Sequence, residues 1–216
     1  MLFSILFSEP LLFAALILGI IFALTVHEYA HALVANALGD PTAERSGRLT
    51  LNPLRHLDPV GFLMLLVAGF GYARPVPYNP SYLRDRRMGP VLIALAGPGA
   101  NILFAMIAAL TLKTVSPIIG SENLLVPFLY LVTFINVNLA VFNLIPIPPL
   151  DGSKLLFALL TEPRWHRLRY TLETQGPFIL IIAILADHFL GIGIFSGVLQ
   201  FVGNGFFALM GLPEGF

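Results

Sequence analysis

Between Pro10 and Leu38 the chain runs 29 residues with one acidic side chain, Glu28, and no lysine or arginine. A run that long and apolar belongs in a bilayer, since about 20 apolar residues suffice to span one as a helix. At about 1.5 Å per residue it reaches roughly 43 Å, beyond the hydrocarbon thickness, so one end protrudes or the helix tilts. Pro10 suits a helix start, and Gly39-Asp40-Pro41 is a stop. The remaining sequence has the same character, with 57% of its 216 residues hydrophobic and 11% charged, against about 45–50% and about 25% in soluble domains. The expected fold is an all-α polytopic membrane protein. At about 20 residues per span, its length suits a single membrane domain of about four to six transmembrane helices, with no room for a soluble domain beside it.

Composition removes several function classes. Twelve Lys plus Arg balance twelve Asp plus Glu, so there is no basic excess of the kind that marks a nucleic-acid partner. The absence of cysteine excludes disulfides and thiolate metal ligands. The first ten residues carry Glu9 and no basic residue before the apolar run, which does not match a secretory signal peptide.

After the first span, residues 40–87 are rich in arginine, proline, glycine and asparagine, and read as aqueous or interfacial. Within them, Val60 to Phe70 is an apolar run of eleven residues, too short to span and suited to a re-entrant or interfacial piece. Residues 47–51 and 72–78 alternate polar and apolar in a strand-like way, the second restricted to an edge by its prolines. Further spans are expected over Pro90 to Leu112 and about Asn123 to Phe142, separated by a polar connection over 113–122. Prolines 146, 148 and 149 then break the helix, and broken backbone at membrane depth is tolerated where it is buried in protein or lines a cavity. The core is expected over about 10–155, followed by an amphipathic stretch and a glycine-interrupted helical hairpin over about 172–212.

If the spans at 10–38, 90–112 and 123–142 each cross once, segments 40–87 and 152–171 share a side. They hold seven and four of the twelve basic residues, leaving Lys113 opposite. The positive-inside rule makes that side cytoplasmic and puts the amino terminus outside the cell membrane.

The residues that carry chemistry are His27-Glu28-Tyr29-Ala30-His31. On a helix, positions i and i+4 share a face, so two imidazoles can grip one metal while the glutamate between them reaches a water. Two histidines and a glutamate among apolar neighbours are costly unless they are paired or functional. A catalytic zinc usually takes three protein ligands and leaves one position open. Asp151, the only carboxylate in the proline-broken segment, is the best third candidate, although Asp-Gly is also a common turn. His56, Asp58, His166 and His188 compete from loops or span ends, where a structural role is the better reading.

These residues resemble the site-2 protease family of intramembrane zinc metalloproteases. The resemblance rests on the HExxH of His27 to His31 and on Asn-x-x-Pro-x-x-x-Leu-Asp-Gly from Asn143 to Gly152. It extends to GRLTLNPLRHLDPVG over 47–61 and GPGAN over 97–101, and so covers roughly residues 20–155. It implies one zinc per chain on His27, His31 and Asp151, Glu28 as general base, and Asn143 helping to hold the substrate or its oxyanion. It also implies a transmembrane protein as substrate, cut within the bilayer by regulated intramembrane proteolysis. Two departures stand out: Asp-Gly-Ser-Lys154 replaces the commoner Asp-Gly-Gly-Arg, and there is no room for the PDZ or CBS domains of some relatives.

A helical peptide bond is shielded by its own hydrogen bond, so a substrate must unwind before attack. The strand-like pieces could receive it extended, by strand addition, or simply cap the interface. Asn101 could line the same cavity or hydrogen-bond between helices. His27 lies eleven residues from Leu38, about 16 Å along a helix, which puts the site in the cytoplasmic half of the bilayer. A metal-binding transporter or sensor would also place histidines and carboxylates in spans. Glu28 argues against it, because transport needs no carboxylate between two ligands one turn apart.

Overall fold

The structure, a computed structural model, describes residues 2–68 and 71–213. A short helix α1 (Leu2–Ser8) leads into α2 (Pro10–Ala37), with Pro10 in the first turn, where its missing amide costs no hydrogen bond. α2 stops at Gly39, whose φ of 101° is open to glycine and strained for other residues. The loop region that follows holds α3 (Thr42–Arg45), a single 3-10 turn at Pro53–Arg55 and α4 (Pro59–Ala68). Then come α5 (Met88–Ile119), α6 (Leu125–Asn143), α7 (Gly152–Leu159), α8 (His166–Phe189) and α9 (Ile194–Met210). Four segments are long and apolar enough to cross a membrane: Pro10–Ala37, Met88–Ile119, Leu125–Asn143 and Pro163–Asp187.

The expected all-α bundle is what forms, and α2, α5 and α6 are its centre. Small side chains let these helices approach closely: Ala23, Ala30, Ala32 and Ala35 on α2, and Ala94, Gly97, Ala105, Ala108 and Ala109 on α5, are all buried. At Gly19 a Cβ would stand 2.9 Å from Ile135 Cδ1 on α6. At the far end of the bundle Phe207 of α9 stacks on Tyr130 of α6, ring centroids 4.5 Å apart, with Leu112 of α5 beside them.

Two expectations need correction. Helix α5 runs on to Ile119, through most of the supposed polar connection of 113–122. Its polar residues are satisfied there, because the Thr111 and Thr114 hydroxyls donate to carbonyls one turn back and Lys113 Nζ donates to the Met210 carbonyl at the end of α9. Secondly, the segments 47–51 and 72–78 form no strand among the described residues. The one pairing nearby is an isolated antiparallel bridge between Leu57 and Ala73. Pro75 and Pro77 remove the alternate amides a ladder would use. The apolar run at 60–70, expected as a re-entrant or interfacial piece, is helical as α4 over Pro59–Ala68, while residues 69–70 lie outside the described residues.

Side-chain and backbone ties hold these loops together instead. Arg74 N donates to the His56 carbonyl at 2.8 Å, and Arg48 Nη2 donates to the Arg74 carbonyl. Asp40, fully buried, accepts from the Thr42 hydroxyl, the Thr42 amide and the Asn79 amide, joining the end of α2 to the 72–79 segment. Tyr78 packs against the cluster of Ala35, Leu83 and Ile93.

Candidate metal centre

The four-residue spacing of Ala23, His27 and His31 puts them on one stripe of α2, and Ile93, Gly97 and Asn101 share the same spacing on α5. The two stripes face each other with the chain directions opposed. Asn101 Oδ1 lies 2.6 Å from His27 Nδ1, and the Ile93 carbonyl lies 2.6 Å from His31 Nδ1. Gly97 sits between them because nothing larger fits: a Cβ there would fall 2.5 Å from His31 Nε2 and 2.6 Å from His27 Cε1.

These contacts determine which ring nitrogens carry protons. Asn101 Nδ2 donates to the Ala23 carbonyl at 3.0 Å and to Asn136 Oδ1 at 2.7 Å, so its Oδ1 is the acceptor that faces His27. The Ile93 carbonyl can only accept. Both imidazoles therefore hold their proton on Nδ1 and turn the Nε2 lone pair inward. The two Nε2 atoms are 3.0 Å apart, and Asp151 Oδ2 lies 3.1 Å from His27 Nε2 and 3.3 Å from His31 Nε2.

Three acceptors thus converge with no proton between them, and Asp151 Oδ2 is buried without a hydrogen-bond partner. Such a group is satisfied by a cation. Ligand atoms at about 2.0–2.1 Å from a tetrahedral centre stand about 3.3 Å apart, close to these spacings. His27, His31 and Asp151 could therefore hold a metal ion.

Asp151 reaches the group because α6 ends at Asn143 and the proline-containing turns of 144–150 carry the chain back before α7 starts at Gly152. Gly152 is tightly enclosed, since a Cβ there would lie 2.1 Å from the Leu144 carbonyl oxygen. Glu28, on the same helix as the histidines, is buried with them. Asn143 is half-buried at the end of α6, and its Nδ2 donates to the Leu139 carbonyl at 2.9 Å.

The competing ligands are placed elsewhere. His56 is fully buried, and its Nε2 meets the Thr50 carbonyl at 2.7 Å. Asp58 caps α4 by accepting from the Val60 and Gly61 amides. His166 is exposed at the start of α8, and the side chain of His188 lies outside the described residues. Asn101 takes the interhelical role, with the His27 imidazole as its partner. Sequence reasoning missed Tyr78 at this site. Its phenol is pushed above the ordinary tyrosine value, first by burial and then by the Asp151 carboxylate.

Residues 118–186 match the profile of peptidase family M50, a stretch that includes Asn143 and Asp151. The chain is 39% identical over 175 residues to "Putative zinc metalloprotease YwhC" of Bacillus subtilis (strain 168), covering 78% of each chain. The chain belongs to peptidase family M50, the site-2 protease family. M50 relatives extend to mycobacteria. "Putative zinc metalloprotease Rip2" of Mycolicibacterium smegmatis is 32% identical over 179 residues, covering 80% of this chain and 67% of Rip2. Its namesake in Mycobacterium tuberculosis (strain H37Rv) is 34% identical over 177 residues, covering 79% and 66%. No solved structure matches this M50 chain. With its four long apolar helices, it is a multi-pass membrane protein of a metallopeptidase family.

Proposed function

We propose that the chain is an intramembrane zinc endopeptidase that cuts transmembrane segments of other membrane proteins. The observation that supports it most is the convergence of three proton-free acceptors on a buried point, with the Glu28 side chain on the same helical turn. His27, His31 and Asp151 hold the zinc. What a bound zinc supplies is Lewis acidity, which acidifies water toward neutral pH and polarises a carbonyl.

Glu28 takes the proton from the attacking water and returns it to the departing amine. Asn101 and the Ile93 carbonyl keep both imidazoles in the tautomer that binds metal. Asn143 steadies the substrate or its developing oxyanion, after turning from the Leu139 carbonyl it now engages.

His27 stands ten residues from the end of α2 at Ala37, about 15 Å along the helix. With eleven of the twelve basic residues in segments 40–87 and 152–171, the amino terminus lies outside. The site then opens toward the cytoplasmic half of the bilayer, and cleavage releases a fragment to the cytosol. The test is a comparison of membrane proteomes from cells with the wild-type chain and with Glu28→Gln. Intact transmembrane substrates should accumulate with the variant; identical membrane proteomes would refute the reading.

A further inference from the structure

Away from the three-ligand group, the loops between α2 and α5 enclose a cleft of about 490 Å³ lined by Ser46, Arg48, Leu54, Arg55, Arg74, Pro75 and Pro77. Three arginines line it, and among the described residues no acidic residue does. Arg48 is only 5% exposed. Its Nη2 is committed to the Arg74 carbonyl, and its Nε is buried without a hydrogen-bond partner. Burial pulls the Arg48 pKa down, the Glu28 carboxylate opposes that, and the Arg74 charge adds a smaller downward push. A buried N–H donor with no acceptor is costly until one faces it, and the Arg48 Nε proton is such a donor.

The surroundings say where that anion comes from. Leu54, in the wall of the cleft, is 78% exposed. Leu51 and Tyr72 in the neighbouring loops, and Val60, Leu63 and Val67 on α4, also present apolar side chains outward. In a chain with four spanning-length helices, such a rim sits naturally at the membrane surface, apolar side chains in lipid and arginines at headgroup level. An arginine fork pairs with the two non-bridging oxygens of a phosphate, so arginines around one cleft suit a phosphate group, and the apolar rim points to one carried by a lipid.

We propose that this cleft binds the phosphate headgroup of an anionic phospholipid, held by Arg48, Arg55 and Arg74 with the acyl chains against the leucine rim. The site docks the loops that carry Tyr78 to the membrane surface. It stands apart from the proteolytic reading, because binding here needs neither metal nor turnover.

The test is native mass spectrometry of the full chain released from micelles holding equal amounts of phosphatidylglycerol and phosphatidylcholine of matched acyl chains. Wild type should retain phosphatidylglycerol in preference. Since Arg48 is buried and its loss could disturb folding, the decisive variant is the exposed pair Arg55→Gln/Arg74→Gln. It should lower the preference by about 30-fold, as expected for two arginine contacts to anionic lipid. The control pair Arg84→Gln/Arg86→Gln removes the same charge outside the cleft and should leave the preference unchanged. Excess inorganic phosphate should not displace the lipid. Equal retention of the two lipids would overturn the proposal, as would equal losses in the two double variants. Full displacement by inorganic phosphate would overturn it too, making the cleft a site for the free ion.

Discussion

Asn101 Oδ1 accepts the Nδ1 proton of His27 at 2.6 Å across the α2–α5 interface, while its Nδ2 is held by the Ala23 carbonyl and Asn136. All of Asn101 and Asn136 is buried. A polar chain from α6 through α5 to α2 therefore fixes one imidazole before any metal arrives. Partners of this kind typically set metal affinity by 10- to 100-fold, on the order of what a ligand's orientation is worth.

Replacing Asn101 by Ala should accordingly raise the zinc dissociation constant by about 10- to 100-fold. Zinc release to a competing chelator measures it. Release from the variant at the wild-type rate would mean that Asn101 only packs the helices.

Glu28→Gln keeps the shape of the side chain and removes the proton acceptor. Zinc content should stay at the wild-type level, while cleavage of a reconstituted transmembrane substrate falls by about 10²- to 10⁴-fold, the usual worth of a positioned general base. Undiminished cleavage would remove Glu28 from the chemistry.

The buried Asp40 carboxylate makes a pH-dependent tie. Burial alone would raise its pKa, but hydrogen bonds from the Thr42 hydroxyl and the Asn79 and Thr42 amides prevail and hold it below the ordinary aspartate value. Lowered in the folded state, it contributes stability above the unfolded value of about 4 and loses it as pH falls through the folded value. Amide exchange at Asn79, corrected for its intrinsic rate, should stay slow down to about pH 4 and speed up below it. Asp40→Asn, which turns a donor toward an amide donor, should cost about 1–3 kcal/mol at neutral pH. Protection at Asn79 that ignores both pH and the substitution would show that the tie is not made.

Membrane orientation can be checked with thiol probes, since the chain has no cysteine of its own. Arg45→Cys, Arg84→Cys and Arg164→Cys should label from the cytoplasm, and Ser121→Cys from outside. Labelling of positions 45 and 121 from one side would reverse the proposed direction of fragment release.

What could be read from the residues was what short range decides. His27 and His31 share a face by helical spacing, and Asp151 stood out as the one carboxylate where prolines break a span. Contacts between elements were the illegible part. That Asn101 serves His27 depends on how α5 lies against α2, and the partner of Lys113, the Met210 carbonyl, lies 97 residues away at the end of α9. The alternation at 72–78 suggested a strand, but among the described residues it makes only the isolated bridge at Ala73, and the segment is tied down through the Asn79 amide on buried Asp40 and Tyr78 packed on Ala35, Leu83 and Ile93.

The claim on which the rest depends is that His27, His31 and Asp151 together hold one metal ion. Elemental analysis of the purified full chain tests it directly. Wild type should carry about one zinc per chain, as a three-ligand site with one open position implies. Asp151→Ala should carry less, and the His27→Ala/His31→Ala double variant close to none. A double variant that still purifies fully loaded would contradict the site.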